Sequence, residues 1–187
     1  MKTSDRLPDV RKMSIYLEQM IRIAIWLVLL VGGGLLASWL DRVWLGGSLR
    51  GGYLHLVTFV LGVAILYLVI RASRNTGRLL VELGCDGDLP RMATNRLVTT
   101  GHYACMRHPM HFGLLLLPWS VAFLLGSPSF IMVIAPLETV LITAMVKWLE
   151  ERQAVRKFGE AYVAYRARVP FFTLRPACLR ALFGSAV

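Results

Sequence analysis

Residues 97–113 read LVTTGHYACMRHPMHFG and gather Tyr103, Arg107, His108 and His111 into one short run. An Arg guanidinium can grip a carboxylate bidentately. An imidazole changes charge near neutral pH, which suits it to proton transfer. Glu150 and Glu151 stand farther along the chain, and a carboxylate can accept from ribose hydroxyls or face a cation. Acid and base of this kind, brought to one place, suit a zwitterionic ligand. Cys105-x-x-His108-x-x-His111 has a spacing that zinc sites also use. Pro109 interrupts that run and no second pair of ligands is nearby, so no metal is expected.

Composition decides what positions these groups. Hydrophobic residues make up 56% of the 187 and charged residues 17%, against roughly 25% charged in an ordinary soluble domain. Four apolar spans can be read, at about 21–40, 53–70, 110–126 and 130–149. About 17–25 residues are needed to cross the hydrocarbon core as a helix. The third span is at the short limit and contains Pro118; it pairs with the fourth as a hairpin turning at Gly126-Ser127-Pro128-Ser129. The expectation is an all-α integral membrane protein with about four transmembrane helices, a cytoplasmic loop and an amphipathic C-terminal helix. The chemistry-bearing run lies between the second and third spans, where ionisable groups at membrane depth point to function.

The net charge of +10 is distributed around the spans and forms no continuous stripe, so nucleic acid is not the expected partner. Five Lys or Arg precede or open the first span, two follow it, and six lie between the second and third. None lies at the hairpin tip, and eight follow from Lys147 onward. That alternation predicts both termini and the loop 71–109 in the cytoplasm. The three cysteines, Cys85, Cys105 and Cys178, fall on that side, where reduced thiols are expected. Arg152, Arg156, Lys157, Arg166 and Arg168 alternate with Ala154, Val155, Phe158, Tyr162 and Tyr165, a pattern that meets lipid headgroups at the interface. Gly159 interrupts this helix and Pro170 ends it. Glu138 lies inside the fourth span, where an unpaired carboxylate is costly.

LVTTGHYACMRHPMHFG, an apolar hairpin, and then LEERQAVRKFGEAYVAYRARVP together resemble the isoprenylcysteine carboxyl methyltransferase and phospholipid methyltransferase superfamily. The resemblance covers residues 95–172 and makes that stretch the core of a single membrane domain, 1–187, with two N-terminal spans in 1–71. It implies an integral membrane enzyme using S-adenosylmethionine. Carried over, the cofactor contacts are Asn95, Arg96, Leu97, Val98, Tyr103, His108, Pro109, Met110, His111 and Glu150. His111 and Arg107 become the catalytic candidates, and Glu138 and Lys147 the substrate-binding ones. Two positions depart from the pattern. His111 stands where the superfamily places a Tyr. Val146 stands where the prenylcysteine enzymes place a base for the substrate carboxylate, with Lys147 about 100° round the helix.

The expected function is S-adenosylmethionine-dependent methyl transfer to a lipophilic or lipid-borne acceptor at the cytoplasmic face, with membrane lipids as partners. Two alternatives stand beside it. R-H-P and K-F-G-x-x-Y-x-x-Y are also similar to elements of NADPH-dependent sterol reductases, although four spans leave little room for a sterol cleft. A non-catalytic membrane protein that keeps the fold is the other.

Overall fold

The computed structural model describes residues 9–45, 52–85 and 94–184. Lys2, Arg6, Arg50 and Arg91, part of the charge alternation, lie outside the described residues. Helix α1 runs Asp9–Leu45, α2 Gly52–Leu83 and α3 His102–Cys105. Helix α4 runs Pro109–Leu125, with a turn at Leu115, and α5 runs Phe130–Phe158. Helix α6 is Glu160–Arg168 and α7 is Pro176–Phe183. The described residues contain no strand.

Three helices are long and apolar enough to cross a membrane: α1 over Ile23–Trp44, α2, and α5. Helix α4 is the shorter apolar member, as its sequence suggests, and pairs with α5 in the hairpin. Gly126 makes the turn with φ +60, and a Cβ there would lie 2.5 Å from His55 Nδ1. Asp41 of α1 ties this tip down: Ser127 Oγ donates to its carboxylate at 2.5 Å and the Ser129 N–H at 2.9 Å.

Helix α2 extends well beyond the expected 53–70. The segment 71–83, read from sequence as loop, is helical; it contains no Pro, carries Gly77 within the helix, and ends before Gly84. Its small residues allow close approach to α4, the usual route to helix packing where lipid removes the hydrophobic drive. A Cβ on Gly62 would sit 2.7 Å from the Leu124 backbone nitrogen, and Ser120 Oγ donates to the Gly62 carbonyl at 3.0 Å. Gly113 lies against Ala72 in the same contact. Trp119 Nε1 donates to Thr139 Oγ1 at 3.0 Å and joins α4 to α5. Ala37, Ala122, Phe130, Ile134 and Ala135 form the buried cluster at the hairpin end.

Helix α5 carries two π-turns, Phe130–Ile134 and Val146–Glu150. Such turns recur at functional sites because they re-phase the side chains that follow. The second one ends on Glu150. Gly159, with φ +57, breaks the helix as expected, and Val169 is extended beyond α6.

Candidate functional site

The chemistry-bearing residues converge at the end of the helices opposite the hairpin tip. The Asn95 and Arg96 N–H groups both donate to the Gly84 carbonyl, at 2.9 and 3.1 Å, which fixes Asn95–Val98 against the end of α2. Val98 is buried. Gly101, at φ +59, turns the chain into α3 beside Leu79. Pro109 opens α4, where its missing N–H costs nothing, and is fully buried. Met110 reaches toward Gly77 of α2.

From there the segment 103–112 is tiled by the chain's C-terminal part. Tyr165 Oη donates to the Tyr103 carbonyl at 2.6 Å. The Arg107 N–H donates to the Pro170 carbonyl at 3.0 Å, and Arg107 Nη1 to the Arg166 carbonyl at 3.1 Å. The His108 ring packs on Phe171 at 5.0 Å between centroids, and Phe112 on Phe172 at 5.4 Å. Burial, with Tyr165 next in weight, raises the pKa of the Tyr103 phenol, which stays neutral.

The two adjacent acids face different surroundings. Glu151 is buried, and its carboxylate lies 3.0 Å from Arg107 Nη2 and 3.4 Å from His108 Nε2. Only the first of these is an ion pair. Burial, followed by His111 and Arg107, pushes the His108 pKa down to about 3, so its imidazole is neutral. Arg107 Nε, His108 Nε2 and the Tyr162 hydroxyl are buried without a hydrogen-bond partner among the described residues, while Glu151 Oε1 is held by the Arg107 ion pair. Burial, and then the Glu151 charge, lift the Tyr162 phenol to about 12. Three buried polar atoms lacking hydrogen bonds are an unusual concentration, since such atoms normally find partners.

Glu150 instead lines a cavity of about 190 Å³ shared with His111, Gln153, Met145 and Leu149, and walled by Ile21, Ile25 and Trp26 of α1. Its lining is mostly apolar, with His111, Glu150 and Gln153 as the polar members. The structure thus brings Glu150 and His111 together, and sets Arg107 and His108 on Glu151. A phospholipid methyltransferase family model matches residues 52–161, from α2 into α6. The chain belongs to the phospholipid methyltransferase family. No curated protein and no solved structure matches the chain.

Two of the expected residues of this phospholipid methyltransferase family member stand elsewhere. Glu138 is twelve positions before Glu150, about 18 Å along α5 at a helical rise of 1.5 Å per residue. It is buried against Gly33 of α1, and its Oε2 has no hydrogen-bond partner. Lys147 is exposed and does not line the cavity, while Val146 is fully buried. Sequence reasoning missed Glu151 as the buried acid, and it missed α7 altogether. Adjacent acids on a helix differ only in phase, and the π-turn that sets that phase has no signature in the sequence. Cys105 and Cys178 form a disulfide, with Cα atoms 5.8 Å apart, where reduced thiols were expected.

Proposed function

We propose that this protein transfers a methyl group from S-adenosylmethionine to a lipophilic or lipid-borne acceptor at the cytoplasmic membrane face. The observation that carries the reading is the cavity whose lining unites Glu150 and His111 with apolar side chains from α1 and α5. The residues present suit the cofactor: a carboxylate able to accept from hydroxyls or to face a cation, in a mostly apolar cavity that also holds His111 and Gln153. S-adenosylmethionine supplies an already activated methyl on a sulfonium, so the protein's task is alignment and exclusion of water.

In this reading Glu150 binds the cofactor, and Asn95–Val98, Tyr103 and His108–His111 shape its seat. Arg107, drawn from sequence as catalytic, is engaged by Glu151 and the Arg166 carbonyl, and we assign it to positioning His108 and the start of α4. A neutral His108 adds no positive charge beside a cationic cofactor. His111 can take the proton released by an amine or thiol nucleophile on a ring nitrogen, since it lines the cavity and imidazole is the commonest general base. Among the described residues no Lys or Arg lines the cavity, and Glu150 does. This favours an amine headgroup or a lipophilic thiol over a carboxylate acceptor. Glu138, about 18 Å away along α5, would meet an acceptor along its chain and not at its head.

The test uses purified protein with methyl-labelled S-adenosylmethionine, offered total lipid extract or the soluble metabolite pool. Label is expected in the lipid fraction and, at sub-saturating cofactor, is expected to fall about 10-fold in Glu150→Gln. Label confined to a water-soluble acceptor would remove the lipid-borne acceptor. Absence of cofactor binding by the wild type would remove the methyltransferase reading itself.

A further inference from the structure

Helix α7, Pro176–Phe183, begins beyond residue 161, where the family match ends. It is nonetheless one of the most firmly anchored parts of the site end. Leu182 is fully buried with Ala72 and Met106, and Leu179, Phe183, Phe112 and Phe172 pack around them. Asn75 Nδ2 of α2 donates to the Leu182 carbonyl at 2.8 Å and to the Gly184 carbonyl at 3.1 Å. Cys178 is bonded to Cys105, the last residue of α3. Cys105 stands two positions before Arg107, and Met106, fully buried, lies between them.

We propose that α7 is a thiol-controlled clamp that positions the segment 103–112, so that the Cys105–Cys178 bond sets how well the cofactor seat is formed. The inference rests on the methyltransferase reading and on the cytoplasmic orientation drawn from charge. Disulfides are uncommon in the cytosol, and those that occur there are usually transient and redox-sensing. A bond linking an appended helix to the residues beside His108 fits that use better than a permanent staple. Asn75 and Leu182 are the thiol-independent half of the clamp. They keep α7 docked when the bond opens, so reduction loosens the segment without releasing the helix.

The chemistry is thiol–disulfide exchange. Closing consumes two cysteine thiols and one low-molecular-weight disulfide of the glutathione type, and yields the Cys105–Cys178 bond and two small thiols. Opening runs the same exchange backward, with two electrons and two protons delivered by a thiol or dithiol. Cys105 is partly exposed whereas Cys178 is buried, so Cys105 is the sulfur that an external thiolate reaches.

The experiment uses the full chain in lipid nanodiscs, in a Cys85→Ser background, oxidised with glutathione disulfide or reduced with dithiothreitol. Hydrogen exchange over 102–112 and S-adenosylmethionine binding are measured in both states and in Cys178→Ser. Reduction is expected to raise exchange in 102–112 and to weaken cofactor binding by about 10-fold or more, since small misplacements of a binding group carry losses of this order. The apparent KM for the cofactor should rise more than kcat falls. Cys178→Ser should behave as the reduced protein and ignore redox. Bridging the two reduced thiols with dibromobimane should restore tight binding in the presence of reductant, which a merely structural disturbance would not allow. Unchanged exchange in 102–112 on reduction would overturn the clamp. So would loosened exchange with equal cofactor affinity in both states. Redox-dependent exchange in a protein that binds no cofactor in either state would leave the clamp standing and remove the methyltransferase reading.

Discussion

Replacing Glu151 tests the division of labour between the two adjacent acids. Glu151 and Arg107 are each about a tenth exposed, at 10% and 12% of their side chains, and their charges lie 3.0 Å apart. Removing one member of a buried pair strands the other and costs about 3–5 kcal/mol. Arg107 keeps the Arg166 carbonyl at 3.1 Å, so the lower end applies, about 3 kcal/mol for Glu151→Ala. At roughly 2–4 °C per kcal/mol for a chain of this size, the melting temperature should fall by roughly 6–12 °C. Glu151→Gln keeps an acceptor oxygen and should lose about half as much. Glu150→Gln, at a cavity wall, should stay within about 0.5 kcal/mol of wild type, yet bind S-adenosylmethionine about 10-fold more weakly, a loss near 1.4 kcal/mol. Thermal unfolding in detergent, with and without cofactor, and calorimetric titration read both quantities. If Glu151→Ala melts with the wild type while Glu150→Gln melts early, the acids have been assigned the wrong way round.

Two further predictions concern pH and topology. The His108 pKa is lowered from 6.5 to about 3 by burial, then by His111 and Arg107, so below pH 6.5 the unfolded chain takes up a proton that the folded one refuses. Stability should therefore decline as pH falls from 6.5 toward 3, by at most about 1.4 kcal/mol per pH unit from this group, and His108→Asn should flatten the slope of melting temperature between pH 7 and 5; an unchanged slope would mean that His108 is protonated in the fold. For topology, Tyr53 and Leu174 are both highly exposed, at 78% and 76%, near opposite ends of the helices. A cysteine at Tyr53 should react with an impermeant maleimide on intact cells and one at Leu174 should not, and the reverse pattern would invert the orientation drawn from charge.

The helical class and the hairpin were legible because both follow from local rules. Apolar length reports crossing, and Gly126 and Pro128 report the turn between α4 and α5. Gly159 reported the break before α6 for the same reason. The extension of α2 to Leu83 was not legible, because Arg71, Arg74 and Arg78 read as the end of a span when they end only its apolar part. At the site, the run from Tyr103 to His111 was legible from residue types that have little reason to sit together between spans. The partner of Arg107 was not, since Glu150 and Glu151 differ by one position and the π-turn Val146–Glu150 decides which of them turns inward. The docking of α7 was invisible for a different reason. Its anchors, Asn75, Cys105 and Met106, lie some seventy residues or more away in sequence, and no short-range pattern encodes such pairings.

The two sides of the site are built with unequal firmness, and the inequality bears on function. The floor is over-determined. Tyr165, Arg166, Pro170, Phe171 and Phe172 each meet a partner between Tyr103 and Phe112, through hydrogen bonds and ring contacts that have one good register. The α1 wall is not. Helix α1 is secured at its far end by Asp41 and the hairpin tip, and among the described residues it brings Ile21, Ile25 and Trp26 to the cavity. Apolar side chains gain little from each other where the alternative neighbour is a lipid tail. A lipid chain can therefore take the place of these contacts at small cost, whereas nothing from the bilayer can replace the polar floor. Under the methyltransferase reading, the cofactor belongs to the rigid side and the acceptor enters through the side that lipid already solvates.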